Sequence, residues 1–340
     1  MIGGLRDGLN LASKMTWQRA SNVADILRSY HSSKVTRRVA IKGLPISISI
    51  EPTTSCNLRC PECPSGLRSF TRPTGMLDRL LYQKVIDELA SSLTYLTFYF
   101  QGEPYLHPGF LDMVGYASAR GIYTATSTNA HYLNEDASLR TVHSGLDRLI
   151  ISIDGTTQKA YESYRVGGSL AKVLAGTTNI VAAKRELKSR TPHVVFQFLV
   201  VGPNEHQISD VYRLAKESGV DQVVLKTAQI YNYHQGSDLI PKQERFARYR
   251  KNPDGTWSIK NEMSDHCWKM WHSCVVTWDG NVLPCCFDKD GQFVLGNVTK
   301  NSFSEVWHGE RYQRFRKTLL ESRSKIEMCR NCTEGTRVFV

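Results

Sequence analysis

The chain has 340 residues, a hydrophobic fraction of 41% and a net charge of +11, which allows one large core and a smaller one. No run of about 18 apolar residues occurs, and residues 1–12 lack an apolar h-region, which argues against a transmembrane helix and a secretory signal. The positive charge favours anionic partners, such as a phosphorylated metabolite, an acidic peptide or a membrane surface, or serves solubility alone.

Residues 1–43 are predicted to form a basic helical extension. Apolar side chains such as Leu5, Leu9 and Trp17 recur on one helical face, and arginines and lysines cover the remainder. This pattern is typical of a helix that contacts a membrane surface or a partner. It is also typical of a helix that packs on the outside of the main domain, which is the interpretation that we favour.

Residues 44–227 alternate between strand and helix patterns, which predicts a parallel α/β sheet. Six strands are predicted, at Pro45–Glu51, Leu93–Phe100, Ile122–Ser127, Arg148–Ile153, Val194–Val200 and Gln222–Lys226. Five helices are predicted between them, at Asp78–Ala90, Gly109–Ala119, Asn134–Val142, Leu170–Leu187 and Glu205–Ser218.

The nine cysteines fall into two groups, with none between residues 64 and 266. A secreted disulfide framework is usually smaller and denser in cysteine, so this distribution favours metal ligation in a reducing compartment. We therefore expect a cytoplasmic protein, and an oxygen-sensitive metal site would suit an anaerobic organism.

Cys56, Cys60 and Cys63 follow the first predicted strand with the spacing Cys-x3-Cys-x2-Cys. Three thiolates at this spacing can hold three irons of a [4Fe–4S] cluster, which leaves the fourth iron open to a substrate or a cofactor. A zinc site is the alternative, but zinc usually takes four ligands from paired motifs.

This cysteine motif resembles that of the radical S-adenosylmethionine (radical SAM) superfamily. Four later segments resemble the SAM-binding segments of that family, in the same order: Gln101-Gly102-Glu103-Pro104, Thr126-Ser127-Thr128-Asn129-Ala130, Ile151-Ser152-Ile153-Asp154-Gly155 and Tyr164-Arg165-Val166-Gly167-Gly168. The resemblance implies a partial (β/α)6 TIM-like barrel, whose functional side chains lie at the C-terminal ends of the strands. It also implies that the open iron binds the amino and carboxylate groups of SAM.

The resemblance assigns roles to the side chains of these segments. Glu103 would accept hydrogen bonds from the SAM amino group, and Ser152 and Arg165 would bind its carboxylate. Asp154 would contact the ribose or the substrate. The complete set of predicted SAM-binding residues is Gly102, Glu103, Thr128, Asn129, Ser152, Asp154 and Arg165.

Two residues depart from the pattern of the family. Gln101 stands where many members have glycine, which we regard as a minor change. Glu62 stands just before the third cysteine, where many members have an aromatic residue near the adenine. The adenine contact is therefore not defined by the sequence.

The other six cysteines lie in residues 263–340, after a polar bridging segment, 228–262. Residues 275–282 predict a β-hairpin with an Asp-Gly or Gly-Asn turn, which would place Cys274 and Cys285 side by side. Together with the later pair Cys329-x2-Cys332, this pattern resembles the SPASM/twitch type of auxiliary-cluster domain.

The resemblance implies one auxiliary [4Fe–4S] cluster, because two fully cysteine-ligated clusters would need eight thiolates and six are available. Its expected ligands are Cys274, Cys285, Cys329 and Cys332. Cys286 is an alternative to Cys285, because adjacent thiols are ambiguous. A structural zinc ion is the alternative to iron.

Cys267 is left over from this ligand set. Three interpretations are open: a buried and inert thiol, a group that contacts the substrate, or a ligand of a second auxiliary cluster together with His266 or His272.

The resemblance implies an enzyme that cleaves SAM reductively to a 5′-deoxyadenosyl radical, which abstracts hydrogen from a substrate C–H bond. A single auxiliary cluster, acting as an electron relay, favours oxidation or epimerisation of a small molecule. The short segment before the barrel also favours this reading, because many peptide-modifying members carry an N-terminal peptide-recognition domain.

The alternative is a peptide- or protein-modifying radical SAM/SPASM maturase that forms a crosslink, an epimer or an oxidised side chain. A non-catalytic iron–sulfur electron carrier is a third class, which the SAM-binding segments argue against. We expect an external electron donor such as flavodoxin or ferredoxin as a partner, and no nucleic acid.

Overall fold

The structure, a computed structural model, describes residues 2–260 and 263–333. Six parallel strands follow one another through the main sheet in chain order. They are β1 (Ser47–Ile50), β2 (Tyr95–Thr97), β3 (Tyr123–Thr128), β4 (Arg148–Ser152), β5 (His193–Val200) and β6 (Gln222–Thr227). All six predicted strands are present, and their order and direction are those of the predicted partial barrel.

Five further strands follow the barrel: β7 (Tyr249–Lys251), β8 (Trp257–Ile259), β9 (Ser273–Val276), β10 (Asn281–Leu283) and β11 (Gly296–Asn297). The strands β7 and β8 form a separate antiparallel hairpin in the bridging segment. The predicted hairpin between Cys274 and Cys285 is confirmed, because β9 and β10 pair antiparallel. In addition β9 pairs parallel with β1, so that the C-terminal unit extends the barrel sheet beside its first strand.

The helices are α1 (Ile2–Ser13), α2 (Trp17–Thr36), α3 (Pro64–Leu67), α4 (Arg79–Leu89), α5 (Phe110–Ser118), α6 (Glu135–His143), α7 (Gln158–Tyr164), α8 (Leu170–Glu186), α9 (Ile208–Glu217), α10 (Lys269–His272), α11 (Phe303–His308) and α12 (Glu310–Glu321). The five helices predicted between the strands correspond to α4, α5, α6, α8 and α9. The short helices α3 and α7 were not predicted, because neither is long enough to show a helical period.

The core lies between the sheet and the helices that cover it. Alternate residues of β1, Ile48 and Ile50, are fully buried, as are Phe196 and Phe198 of β5. The intervening Ser47, Ser49 and Gln197 are only half-buried. Strand side chains alternate between the two faces of a sheet, so the buried apolar residues face the helices and these polar residues face the barrel interior.

The predicted basic extension forms two helices, and α1 packs against the N-terminal ends of β3 and β4. The buried Asp7 carboxylate accepts hydrogen bonds from the Tyr123 hydroxyl and the Arg148 guanidinium. One turn later, the Asn10 side-chain amide donates to Asp147 Oδ1 at 2.8 Å. The extension therefore closes the floor of the barrel, and none of the helices in the described ranges is long and apolar enough to cross a membrane.

Candidate functional site

The first cysteine group lies in the loop that leaves the C-terminal end of β1. Cys60 is buried, while Cys56 and Cys63 are half-buried, and all three pack in one cluster with Leu58. Burial raises the pKa of Cys56 to about 11, and the negative charges of Cys60 and Cys63 act in the same direction. The three thiols are thus electrostatic neighbours, as ligands of one cluster must be.

Close backbone packing fixes this loop against the end of β2. Gly102 has a positive φ of 76°, and a Cβ atom there would lie 2.2 Å from the carbonyl oxygen of Thr53. Its amide donates to the Ser65 hydroxyl at 2.9 Å. Only glycine fits this position, and the close approach that it permits is to the cysteine loop itself.

Glu103 joins the ends of β2 and β3. Its carboxylate is buried and accepts hydrogen bonds from the Thr128 hydroxyl at 2.7 Å and the Asn129 amide at 2.8 Å. Burial raises the pKa of Glu103 to about 6, and those two hydrogen bonds limit the increase. The carboxylate is a buried acceptor at the edge of the sheet next to the cysteine loop.

Two more predicted residues lie at this edge. The Asn129 side chain donates to Asn57 Oδ1 in the cysteine loop at 2.7 Å. Ser152, at the end of β4, has its hydroxyl 3.5 Å from that of Ser127. The structure therefore brings the ends of β2, β3 and β4 together around the loop.

Arg165 connects the cysteine loop to the strand β4. Its Nε donates to Asp154 Oδ2 at 2.5 Å, and its Nη1 lies 3.8 Å from Cys60 Sγ. Although burial of the guanidinium opposes its charge, Asp154 and Cys60 hold the pKa of Arg165 well above its ordinary value. Asp154 Oδ1 accepts from the Leu199 amide at 2.7 Å, so both oxygens of this carboxylate are used to position Arg165.

These donors fit a [4Fe–4S] cluster and a zwitterionic ligand such as SAM. Three neighbouring thiols supply the soft ligands that iron–sulfur clusters require. A buried carboxylate and a guanidinium beside them match an ammonium and a carboxylate group, respectively. Across residues 2–260 and 263–333, no three His, Cys, Asp or Glu side chains converge closely enough to hold a single metal ion.

In the C-terminal unit, Arg323 links several of the remaining thiols. Its Nη2 donates to Cys332 Sγ at 3.2 Å, and its charge also acts on Cys267 and Cys329. Burial raises the pKa of Cys329, while Arg323 opposes that increase. Cys285 is in turn an electrostatic neighbour of Cys332.

The predicted ligand Cys274 has a different environment. It lies within β9, opposite Ile48 of β1, and is 1% exposed. Burial raises its pKa, and the charged group that opposes this increase is Arg316 rather than Arg323. Cys267, which the sequence left unassigned, is thus the thiol that shares Arg323 with Cys329 and Cys332.

Cys285 and Cys286 are also distinguished by their contacts. Cys285 is buried, whereas Cys286 is half-buried and has Lys269 Nζ at 3.4 Å from its sulfur. Because its sulfur is half-buried and already contacts a lysine, Cys286 is the weaker candidate for a cluster ligand.

Three residues that the sequence analysis did not combine meet at the mouth of the barrel. Glu62 Oε2 accepts a hydrogen bond from the Tyr231 amide at 2.8 Å. Lys289 Nζ lies 4.6 Å from the Tyr231 ring centre and 3.4 Å from the Glu62 carbonyl oxygen. This Glu62–Tyr231–Lys289 cluster connects the cysteine loop, the bridging segment and the C-terminal unit. The unusual Glu62 was visible in the sequence, but its partners were not.

A cavity of about 530 Å³ opens next to this cluster. Its lining comes from the cysteine loop, the bridging segment and both loops that carry the C-terminal cysteines: Pro64, Leu67, Ser69, Gln229, Tyr231, Tyr233, His234, Phe287, Asp288, Lys289, Asp290, Gln292, Glu327, Met328, Arg330 and Asn331. The cavity therefore lies between residues that adjoin the first cysteine group and residues that adjoin the second.

Comparison with protein families identifies two regions of the chain. Residues 50–215 match the family model of the Radical SAM superfamily. Residues 267–333 match the model of SPASM, an iron–sulfur cluster-binding domain. The second match begins at Cys267.

Curated proteins and solved structures with similar chains agree with these matches. The S-adenosyl-L-methionine-dependent 2-deoxy-scyllo-inosamine dehydrogenase of Niallia circulans is 27% identical over 294 residues, which cover 84% of this chain and 91% of the relative. The PqqA peptide cyclase of Gluconobacter oxydans is 24% identical over 312 residues, which cover 86% and 84%. The crystal structure of Streptococcus suis SuiB bound to S-adenosylmethionine superposes with a TM-score of 0.63 at 13% identity, covering 91% of this chain and 76% of that one, which shows a shared fold.

Proposed function

The chain belongs to the radical SAM superfamily and carries a C-terminal SPASM iron–sulfur domain, and on that premise we propose that it oxidises or epimerises a small polar molecule. Its cofactors are SAM, a [4Fe–4S] cluster that binds SAM and an auxiliary [4Fe–4S] cluster. When bound, SAM and its cluster supply the one-electron chemistry that removes a hydrogen atom from a substrate C–H bond.

We assign the SAM-binding cluster to Cys56, Cys60 and Cys63. Arg165 would bind the SAM carboxylate, because Asp154 fixes its guanidinium beside Cys60. Glu103 would accept from the SAM amino group, because its buried carboxylate is already held in place by Thr128 and Asn129.

The other predicted SAM-binding residues support this arrangement from the strand ends. Thr128 and Asn129 hold Glu103, and Ser152 offers a hydroxyl at the end of β4 for the SAM carboxylate. Gly102 allows the backbone after β2 to approach the cysteine loop. Asp154 acts through Arg165 in this proposal rather than by direct contact with the ribose.

For the auxiliary cluster we propose the ligands Cys267, Cys285, Cys329 and Cys332. Arg323 joins three of these thiols, Cys267, Cys329 and Cys332, and the fourth, Cys285, is an electrostatic neighbour of Cys332. This set replaces Cys274 of the sequence-based expectation by Cys267. Four thiolates close the coordination of the cluster, which suits electron transfer rather than substrate binding.

The cavity between the two cysteine groups is the observation that carries the substrate proposal. A volume of about 530 Å³ lies within the range of roughly 300–1,000 Å³ that is usual for small-molecule sites. Its lining combines aromatic rings with amide, carboxylate and cationic side chains, which suits a molecule with several hydroxyl or amino groups. The relative from Niallia circulans, named as an inosamine dehydrogenase, supports the same substrate class.

Oxidation of such a substrate must balance in electrons. Loss of a hydrogen atom from a carbinol carbon leaves a radical, and conversion to the ketone requires one electron and one proton to leave. The second cysteine group adjoins the cavity through Met328, Arg330 and Asn331. An auxiliary cluster held by these cysteines would therefore be the acceptor for the second electron.

A peptide- or protein-modifying maturase remains the second candidate. The relative from Gluconobacter oxydans is named as a peptide cyclase, and the cavity opens to the surface beside the exposed Tyr231. A peptide side chain could enter it from that direction.

The two candidates are distinguished by the substrate that stimulates SAM cleavage. The protein would be reconstituted without oxygen and incubated with SAM, dithionite and either amino-cyclitols and sugars or synthetic peptides. We expect a cyclitol or sugar to increase the formation of 5′-deoxyadenosine and to yield either a product poorer by two hydrogen atoms or an epimer of the substrate. The variant Cys60→Ala is the control and should form no 5′-deoxyadenosine.

Stimulation by peptides alone would overturn the small-molecule proposal and favour the maturase. A failure of every compound class, with intact clusters and basal SAM cleavage, would show that neither panel contains the substrate class. An external donor such as flavodoxin or ferredoxin should replace dithionite in this assay. A cytoplasmic location stays a prediction from the cysteine pattern.

A further inference from the structure

The outward face of α1 carries apolar side chains that the fold does not cover. Leu5 and Leu9 are 67% and 63% exposed, and their spacing of four residues places them on the same side of the helix. The opposite side is held by Asp7 and Asn10, which bond to the ends of β3 and β4. The leucines are therefore exposed on a helix that is fixed to the barrel floor.

A strongly basic groove lies beside these leucines. It has a volume of about 680 Å³ and separates α1 from the connection between α8 and β5. Its cationic lining residues are Arg6, Lys184, Arg185, Lys188 and Arg190, and its acidic ones are Asp7 and Asp221.

Both acidic residues of the groove already have cationic partners. Asp7 bonds to Arg148, and Asp221 accepts from Lys184 Nζ at 2.6 Å. By contrast, Arg6, Lys188 and Arg190 are exposed and have no acidic partner within salt-bridge distance in the described ranges. The groove thus presents an excess of positive charge next to Leu5 and Leu9.

We propose that this surface, α1 with the basic groove, binds the anionic surface of a lipid bilayer. Exposed leucines next to long cationic side chains match the boundary between acyl chains and phosphate headgroups. Trp17, which is 87% exposed at the start of α2, adds a residue type that favours the same boundary. Among the described residues, the unpaired cationic side chains of the groove, Arg6, Lys188 and Arg190, are exposed rather than buried, which suits a headgroup layer better than one small phosphate compound.

Binding at this surface is independent of the proposed function. The groove lies at the N-terminal ends of the strands, whereas the cysteine loop and its cavity lie at the C-terminal ends. The mouth of the barrel therefore stays open to the substrate when the floor contacts a membrane.

The test is co-sedimentation of the cluster-loaded protein with vesicles. Vesicles of phosphatidylcholine alone are compared with an equimolar mixture of phosphatidylcholine and phosphatidylglycerol. We expect a larger bound fraction on the anionic vesicles, and a loss of that binding at high salt because salt screens the charges. The triple variant Arg6→Glu, Lys188→Glu, Arg190→Glu should lose anionic binding, and Leu5→Ser with Leu9→Ser should weaken it.

Matched controls distinguish binding through this surface from the effects of net charge and of general hydrophobicity. Lys159→Glu, Lys251→Glu, Lys300→Glu makes the same change in charge at exposed positions outside the groove and should bind as the unmodified chain does. Leu80, 74% exposed on α4, gives the apolar control Leu80→Ser. SAM cleavage should be unchanged in the groove variants. A loss of vesicle binding therefore tests this proposal, and a loss of SAM cleavage tests the proposed function.

Equal binding to both kinds of vesicle, or undiminished binding by the groove triple variant, would overturn the proposal. Retention on immobilised flavodoxin that depends on the groove residues, without vesicle binding, would also overturn it and would assign the surface to an acidic protein.

Discussion

At the scale of single residues, the charged neighbours of each thiol are the basis on which we propose the ligands of the auxiliary cluster. Cys267, Cys329 and Cys332 share the cation of Arg323, whereas Cys274 lies within β9 and has Arg316 as its cationic neighbour. Nothing in the local sequence of Cys267 or Cys274 distinguishes them, because both adjoin aromatic or β-branched residues. The distinction arises because Cys274 lies within β9, whereas Cys267 lies in the irregular segment before α10.

The ligand assignment predicts different metal contents for two cysteine variants. The change Cys267→Ala should lower the iron content of the reconstituted protein from about eight to about four, because one thiolate of the auxiliary cluster is lost. The change Cys274→Ala should leave the iron content unchanged and only reduce stability by creating a small cavity. Iron and acid-labile sulfide would be measured, with Cys286→Ala as a control that keeps both clusters. A loss of iron in Cys274→Ala with unchanged iron in Cys267→Ala would restore Cys274 to the ligand set.

The second cysteine group should be separable from SAM cleavage. We expect Cys329→Ala to retain uncoupled formation of 5′-deoxyadenosine and to lose product formation, because the first cluster stays intact while the electron acceptor is removed. Both products would be quantified in the same reaction. Full turnover by this variant would exclude an electron-acceptor role for the second cluster.

The carboxyl of Glu103 predicts a pH dependence of SAM binding. Because burial raises its pKa to about 6, the carboxylate that we propose accepts from the SAM amino group is present above that pH and is protonated below it. Affinity for SAM should therefore decrease as the pH falls through about 6 in the unmodified chain. Titration of SAM binding across this range would measure the change. The variant Glu103→Gln should bind SAM more weakly at neutral pH and show no such transition. An identical transition in this variant would show that a group other than Glu103 causes the pH dependence.

At the scale of elements, α1 acts as the floor of an open barrel. Its acidic Asp7 meets Tyr123 and Arg148, the first residues of β3 and β4. In the sequence, residues 1–43 have the basic amphipathic pattern of a membrane-surface helix, and α1 shows why the pattern was ambiguous. One face carries the polar anchors to the barrel, and the other carries the exposed Leu5 and Leu9.

Loss of the floor contact should destabilise the whole fold. The change Asp7→Ala leaves the Tyr123 hydroxyl and the Arg148 guanidinium without their acceptor, so we expect a loss of about 1–3 kcal/mol in the free energy of unfolding. Denaturation by urea, followed by circular dichroism, would measure it. The neighbouring exposed change Arg6→Ala is the control and should stay within about 0.5 kcal/mol of the unmodified chain. Equal stability of both variants would mean that α1 contributes little to the barrel.

At the scale of the whole molecule, barrel and C-terminal unit share one sheet. The strand β9 pairs with β1 along its full length, and residues of both units belong to one buried cluster. The Glu62–Tyr231–Lys289 cluster joins the same two units at the barrel mouth. The two cysteine groups are therefore held on one framework on either side of the cavity.

A shared sheet predicts one cooperative unfolding transition. The buried Trp271 and Trp307 report on the C-terminal unit through fluorescence, while far-ultraviolet circular dichroism is dominated by the barrel. In the metal-free protein we expect both signals to change at the same denaturant concentration. Val276→Asp, which places a charge in the β1–β9 contact, should shift both transitions together. Two separate transitions would show that the units fold independently.

The sequence by itself determined the elements and the chemistry of the first cluster. Strands and helices with a clear period were predicted within a few residues, and Cys56, Cys60 and Cys63 lie close together in the chain. These features depend on local spacing, which can be read without knowledge of distant contacts. The short α7 was missed because its few residues show no period.

Only the tertiary structure decided which distant groups meet. The pairing of β9 with β1, the grouping of Cys267 with Cys329 and the contact of Glu62 with Tyr231 join residues far apart in the chain. Such contacts depend on how buried faces pack and on which charges must be neutralised after burial. Packing is set by the whole core at once, so neither the auxiliary ligand set nor the cavity could follow from the spacing of residues along the chain.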